Sequence, residues 1–234
     1  MRSLRITLHT QRSIMLPLAY NELVQGMLYH CWREHYPSLH DSGTFRPFVF
    51  GRLQGKAKVD SKARTICFSD FVSLEVRTPI EELLDECATQ LASNESVRLG
   101  AYTLRVANLQ TNDRLLFPQR TNIELLAPAV AYHTLDEGHT VPYSPLDPEW
   151  LPLIQQNIAR KAEELGVPFG GAFQAIPHEE TLRKHVTRFK GTYITGWTGK
   201  LMVQTEPQVL AMLWCTGLGV KNSQGFGLFD VLDR

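Results

Sequence analysis

One pattern constrains this chain more than any other. The order strand, helix, strand, strand, helix, strand is written into it twice. In the first pass, residues 2–10 alternate apolar and polar side chains, with Leu4, Ile6 and Leu8 on one face, the period of a strand. Residues 20–32 place Leu23, Met27 and Leu28 at helical spacing, and Pro37 marks the end of that stretch. Residues 46–53 and 63–73 read as strands joined by a Gly-Lys-rich turn. Pro79 opens a second helix with Ile80, Leu83, Leu84, Cys87 and Leu91 on its core face, proline being favoured at a first helical position. Residues 97–109 close the unit as a strand. The second pass runs through a strand at 122–133, a helix at 148–164, a hairpin of 183–190 and 193–203, a helix at 207–215 and a strand at 226–232. This order is ferredoxin-like. The sequence therefore predicts an α+β fold of two tandem ferredoxin-like domains, 1–112 and 120–234.

With 234 residues, 43% of them hydrophobic, the chain can fill two small cores. Its formal net charge is zero, so global charge gives no sign of a polyanionic partner. Local charge does. Residues 181–205 hold Arg183, Lys184, Arg188, Lys190 and Lys200 and no acid. Residues 46–64 set Arg46, Arg52, Lys56, Lys58, Lys62 and Arg64 against Asp60 alone. Acids gather elsewhere, at Glu75, Glu81, Glu82, Asp85, Glu86 and Glu95. If the basic segments share a face, the body is dipolar with one side suited to nucleic acid; otherwise they are solvated strand faces. Cys31, Cys67, Cys87 and Cys215 form no C-x-x-C pair, which points to neither zinc nor a redox motif. With no signal peptide, a reduced cytoplasmic setting is expected, and no apolar run reaches transmembrane length.

The second half carries a feature that the first lacks: Gly217-Leu-Gly219-Val-Lys221-Asn222-Ser223-Gln-Gly225-Phe-Gly227. Two Gly-apolar-Gly pairs flank a polar centre, after a helix and before a strand. Such a loop can form an anion-binding concavity from successive backbone N–H groups. The P-loop and dinucleotide motifs place their glycines between a strand and a following helix, which is the reverse order. The plainer reading is helix C-caps and turns.

The segment resembles the C-terminal glycine-rich loop of the CRISPR-associated RAMP superfamily. A second stretch narrows the resemblance. Leu39-His-Asp-Ser-Gly43 followed by Phe48-Val-Phe-Gly-Arg-Leu-Gln-Gly55 is similar to a signature of the repeat-processing endoribonuclease, the sixth Cas protein family. Gly51 departs from that signature, which often has Ser. The two motifs lie near opposite ends, so the resemblance spans the chain.

It implies a metal-independent endoribonuclease that cleaves CRISPR repeat RNA without a cofactor. The 2′-hydroxyl attacks the adjacent phosphorus and leaves a 2′,3′-cyclic phosphate and a 5′-hydroxyl. Such chemistry needs a proton-transfer group, which histidine suits, and cations for the phosphorane. The family's catalytic histidine falls on His40, as base toward the 2′-hydroxyl or acid toward the 5′-oxygen. Asp41 adjoins it in sequence. Tyr29 and Arg46 stand where some members carry a tyrosine and a basic residue, and Arg52 rivals Arg46 for the phosphate. His30 and His35 are weaker candidates, and the spacing of the three histidines does not suit metal chelation.

RNA would be held by Gly217, Gly219, Lys221, Asn222, Ser223, Gly225 and Gly227 of the loop, and by Arg188 and Lys190 of the hairpin. Phe189, Tyr193 and Trp197 could stack on bases or pack in a core. Repeat RNA is thus the implied partner, with other Cas proteins and a second copy of the chain as further partners. The competing readings are a crRNA-binding RAMP subunit that does not cut, and an unrelated ferredoxin-like enzyme for small phosphorylated ligands.

Overall fold

The computed structural model describes residues 1–40, 45–135 and 139–232, with His40 by its backbone alone. The first strand, β1 (Arg2–Pro17), starts as the alternation predicts but runs well past residue 10. A bulge between Thr10 and Ile14 shifts its register, and beyond it Ile14 and Leu16 return to the buried face. The exposed stretch 11–13 is the bulge, where a strand bends and continues.

The chain then forms α1 (Asn21–Trp32), a 3-10 turn (Pro37–His40), β2 (Val49–Phe50), β3 (Gln54–Asp60) and β4 (Thr65–Arg77). After these come α2 (Glu81–Asn94), β5 (Ser96–Leu99) and β6 (Tyr102–Asp113). The sheet order is β2-β4-β1-β6-β5, antiparallel, with β3 also beside β4. Residues 97–109, expected as one strand, are a hairpin, because Gly100 turns the chain at φ +62°.

The second half holds β7 (Arg120–Leu125), β8 (Tyr132–Thr134), β9 (Thr140–Pro142), α3 (Trp150–Leu165) and β10 (Gln174–Pro177). It ends with β11 (Arg183–Phe189), β12 (Thr192–Thr198), β13 (Lys200–Gln204), α4 (Pro207–Thr216) and β14 (Phe229–Leu232). Its sheet runs β10-β13-β7-β14. In both sheets the unit's last long strand lies beside its first, as the ferredoxin-like fold requires.

Three further expectations need correction. The Gly-Lys-rich turn expected after residue 53 is the strand β3, fully exposed and so without an apolar period to reveal it, and of 46–53 only Val49–Phe50 is strand. The strand at 122–133 is split, since Pro128 lies in it and lacks the N–H a sheet interior needs. The hairpin 183–190/193–203 is not the middle of the sheet. The second-strand place belongs to β10, which pairs with β13, while β11 and β12 form a separate ribbon. The reason lies in the side chains. β11 is exposed along most of its length, whereas Leu201 and Val203 of β13 are fully buried.

One core lies under α1 and α2 and includes Leu4, Val24, Trp32, Phe50 and Leu84. The other lies under α3 and α4 and includes Ile123, Trp150, Ile158, Val203 and Leu213. A small cluster of Val49, Ala127 and Leu228 joins the halves. Gly51 belongs to this seam: a Cβ there would stand 2.7 Å from Leu228 Cδ2, so a larger residue would need the Leu228 side chain to shift. No helix among the described residues is long and apolar enough to cross a membrane.

Arg77 is the polar part of the seam. It is 1% exposed, donates from Nη1 to the Phe229 carbonyl at 2.6 Å, and pairs with Glu75. Its guanidinium lies 3.9 Å from the centre of the Trp214 ring. Arg77→Ala strands the Phe229 carbonyl and takes from the largely buried Glu75 carboxylate one of its two arginines, leaving it Arg5 at 3.0 Å, a loss of about 3 kcal/mol or more. The thermal midpoint should fall by roughly 10 °C or more. A thermal melt of the variant checks this, and a loss of only a degree or two would refute the strut.

Candidate functional site

Asn21, Gln25 and Tyr29 are spaced four apart, so they form one row along α1. All three reach the Asn222–Gln224 turn of the glycine-rich loop. Asn21 Nδ2 donates to the Gln224 carbonyl at 2.8 Å, and Gln25 Nε2 to the Ser223 carbonyl at 2.7 Å. Tyr29 is 7% exposed, packed edge-on to Trp32 and Phe48. Burial raises its phenol pKa, while the Arg46 charge and a hydrogen bond with Ser223 act the other way. The phenol therefore stays protonated at neutral pH and able to donate.

Arg46 enters from the same side. Its Nε donates to the Leu39 carbonyl at 2.8 Å, which ties it to the 3-10 turn one residue before His40. The His40 backbone ends that turn. The His40 side chain and residues 41–44, Asp41 among them, lie outside the described residues. Between the halves opens a cleft of about 340 Å³, lined by Arg46, Arg160, Lys161, Lys221 and Ser223, with Glu164 as its acid. A cleft with this excess of cations suits a phosphate.

The loop itself is held from inside the protein. Leu218, Val220, Gln224, Gly225 and Gly227 all donate their amides to protein carbonyls. Asn222 is buried, and its Nδ2 donates to the Leu218 and Phe226 carbonyls. Gly219 has φ +76°, and a Cβ there would collide with the Val130 carbonyl. At Gly225, φ +84°, a Cβ would meet the Phe50 ring at 2.5 Å and the Asn21 amide at 2.7 Å. These glycines let the loop approach its own protein. Lys221, half-buried with its Nζ 5.3 Å from the centre of the Tyr132 ring, is the loop side chain left to face a ligand in the cleft.

Sequence reasoning missed the residue at the centre of this arrangement. Lys161 of α3 is 2% exposed, and its Nζ donates to Gly217 O at 2.7 Å, Gly219 O at 3.1 Å and Asn222 Oδ1 at 2.7 Å. Burial lowers its pKa to about 7, with Arg160 adding to the effect. The three oxygens oppose that shift, since each takes one proton of an ammonium. The signal was present in the sequence: Lys161 lies seven residues after Ile154, on the apolar stripe of α3.

The β11–β12 ribbon presents Lys184, Val186 and Arg188 outward, opposite Trp197, Thr195 and Tyr193. Tyr193 is 62% exposed, while Phe189 is buried as a core residue. Lys190 and Gly191 form the tip, both at positive φ as a tight two-residue hairpin turn requires. Arg52 reaches the ribbon's other face, with its Nη2 3.2 Å from His185 Nδ1, and His185 Nε2 lies 2.7 Å from Thr198 Oγ1.

Desolvation and Arg52 lower the His185 pKa, so the neutral ring accepts from Arg52. A histidine depressed in the folded state stabilises above its ordinary range, near 6.5, and that stability is lost as pH falls through the folded value. NMR titration should place His185 below 6.5, and Arg52→Ala should raise it. An unchanged value in the variant would remove Arg52 from the contact.

Residues 111–231 match the family described as CRISPR associated protein Cas6, C-terminal. The chain belongs to the Cas6 family. No curated protein matches its sequence. Among solved structures, this Cas6-family chain is similar to the product of a Cas6-related gene from Pyrococcus furiosus, at 17% identity and TM-score 0.87, over 99% of this chain and 98% of that one. It is also similar to a RAMP protein binding different RNA substrates, at 18% identity and TM-score 0.86, over 100% of both chains. A third is a CRISPR associated protein Cas6, at 18% identity and TM-score 0.81, over 99% of both chains. At these identities the likeness is one of fold, and it runs end to end.

Within this Cas6-family fold, Arg46, Lys221 and Ser223 line the cleft, and Tyr29 lies buried against Ser223. Arg52, Arg188 and Lys190 belong to the ribbon and its base instead. His35 is drawn to α2, with its Nδ1 2.7 Å from Glu86 Oε1. His30 lies exposed on α1.

Proposed function

We propose that this Cas6-family chain is a metal-independent endoribonuclease that cuts CRISPR repeat RNA. One observation carries the reading. Arg46 from the first half meets Lys221 and Ser223 from the second in one cationic cleft, beside the turn that ends at His40, and the buried Tyr29 reaches Ser223 from behind it. The likeness in fold to a RAMP protein binding different RNA substrates supports RNA as the ligand class.

The RNA's own 2′-hydroxyl supplies the nucleophile. Its proton is removed, its oxygen bonds to phosphorus, and the bond to the 5′-oxygen breaks. The 5′-oxygen takes up a proton, leaving a 2′,3′-cyclic phosphate and a 5′-hydroxyl. His40 moves the proton at the attacking or the leaving oxygen. Arg46 and Lys221 neutralise the non-bridging oxygens, and the protonated Tyr29 hydroxyl donates to one of them. The outer face of the ribbon, with Lys184, Arg188, Tyr193 and Trp197, holds the flanking RNA by phosphate contact and stacking. Residues 1–112 thus carry the proton transfer, and residues 120–234 the loop and ribbon that hold the substrate.

The test is cleavage of labelled cognate repeat RNA in EDTA, beside the same RNA with a 2′-deoxy residue at the cut site. Cutting of the first and not the second is the expected result. Tight binding with no cutting of either would instead make the chain a crRNA-binding subunit.

A further inference from the structure

α1 and α2 are tied together at two points. Trp32 Nε1 donates to the Leu83 carbonyl at 2.8 Å, and His35 Nδ1 lies 2.7 Å from Glu86 Oε1. Cys31 and Cys87 adjoin these anchors, one on each helix. Both are buried in the first core, and their thiols share a hydrogen bond. The Cys87 S–H donates, so the bond lowers the Cys31 pKa and, together with burial, raises that of Cys87. Cys31 is thus the better nucleophile of the two. No C-x-x-C spacing marks them, because the fold and not the sequence makes them neighbours. Buried cysteines often serve as small apolar fillers. A filler needs no particular partner, whereas here each sulfur faces the other across two helices whose register is fixed on both sides. The remaining cysteines lie elsewhere: Cys67 on β4, and Cys215 on α4 of the other half, where burial pushes its thiol up to about 12.

We propose that Cys31 and Cys87 are a peroxide-sensitive thiol pair that closes to a reversible disulfide and staples α1 to α2. The oxidant is a small peroxide, such as hydrogen peroxide, since Cys31 is 3% exposed and a bulky disulfide would not reach it. The Cys31 thiolate attacks one peroxide oxygen, the O–O bond breaks, and water leaves a sulfenic acid on Cys31. The Cys87 sulfur then attacks the sulfenic sulfur, the S–S bond forms, and the hydroxyl departs as a second water with the Cys87 proton. Two thiols and one peroxide thus become one disulfide and two waters. The sulfurs close from hydrogen-bond contact to about 2.05 Å. α1 also carries the Asn21, Gln25 and Tyr29 row that meets the glycine-rich loop, and Cys31 follows on the same helix. The staple therefore braces the helix on which the candidate site is built.

The experiment treats the reduced full chain with hydrogen peroxide, alkylates it in denaturant and weighs it by mass spectrometry, beside Cys87→Ala and Cys31→Ala. The wild type should lose the mass of two hydrogens and keep two alkylatable thiols instead of four. Proteolysis should release the Cys31 and Cys87 peptides joined, and dithiothreitol should part them. The thermal midpoint of the oxidised form should rise by roughly 5–10 °C, because the bond closes a long chain segment. In Cys87→Ala, Cys31 should stop at the sulfenic acid, caught by dimedone, with no rise in midpoint. Cys31→Ala should give neither the bond nor a dimedone adduct at Cys87. Four free thiols in the folded, peroxide-treated wild type overturn the pair. So does a bond through Cys67 or Cys215, or a sulfinic acid at Cys31 with no bond. A bond that forms but leaves the midpoint unchanged or lower overturns the staple. None of these measurements involves RNA, so the thiol pair and the nuclease reading stand or fall separately.

Discussion

His40→Ala should slow cleavage of repeat RNA by about 10²–10⁴-fold, the usual contribution of a positioned acid or base. Binding should survive. The groups assigned to hold RNA are Arg46, Lys221 and the ribbon cations, none of which needs the imidazole. Single-turnover cleavage and a gel shift on the same samples separate the two effects. The pH dependence provides a second check, since a histidine that titrates near neutrality should leave a limb in the rate profile that the variant lacks. Tyr29→Phe should cost less, about 10–100-fold, the value of one hydrogen bond to a charged group. It keeps the ring contacts with Trp32 and Phe48 at 6.4 and 5.9 Å, so its fold should be intact. Cleavage by His40→Ala at the wild-type rate would move the proton transfer to another residue.

The fold was legible where periodicity is strong. α1 and α2, their core faces, and the starts of β1 and β4 follow from apolar spacing, because one-sided burial imposes the period. What failed was the assignment of strands whose polar character hides their pairing. β11 alternates well enough to look like a sheet strand, but with Lys184, Val186 and Arg188 outward it has little to give a core. β10 is only Gln174–Pro177, too short to register as a pattern. The bulge in β1 was invisible for a related reason: three exposed residues look like a strand end unless the pairing beyond them is known.

Tyr29 and Arg46 were chosen from their places relative to the motif, and the structure puts Tyr29 against Ser223 and Arg46 in the cleft wall. The loop's glycines were read as making room for a ligand. Gly219 and Gly225 instead make room for Val130, Phe50 and Asn21. Sequence shows that a position needs glycine; only packing shows what comes close to it. Asn21 and Gln25 were missed because docking of a helix row on a distant loop leaves no mark on the local pattern.

Lys161→Met should cost about 3 kcal/mol or more, and should lose cleavage beyond what the stability loss explains. Methionine keeps the bulk of the side chain, but it takes the donor from Gly217 O, Gly219 O and Asn222 Oδ1, each worth about 1–3 kcal/mol. The thermal midpoint should fall by roughly 6–12 °C. Function should follow because the same loop carries Lys221 and Ser223 into the cleft, and with Asn222 released the Asn222–Gln224 turn has lost an anchor. Asn222→Ala attacks the other end of one contact and also frees the Leu218 and Phe226 carbonyls. If Lys161 and Asn222 act as one clamp, the double variant should lose less than the sum of the singles, with a coupling of about 0.5–3 kcal/mol. Strict additivity in both stability and cleavage would mean that the lysine fills space and holds nothing, and that the loop owes its shape to its glycines alone.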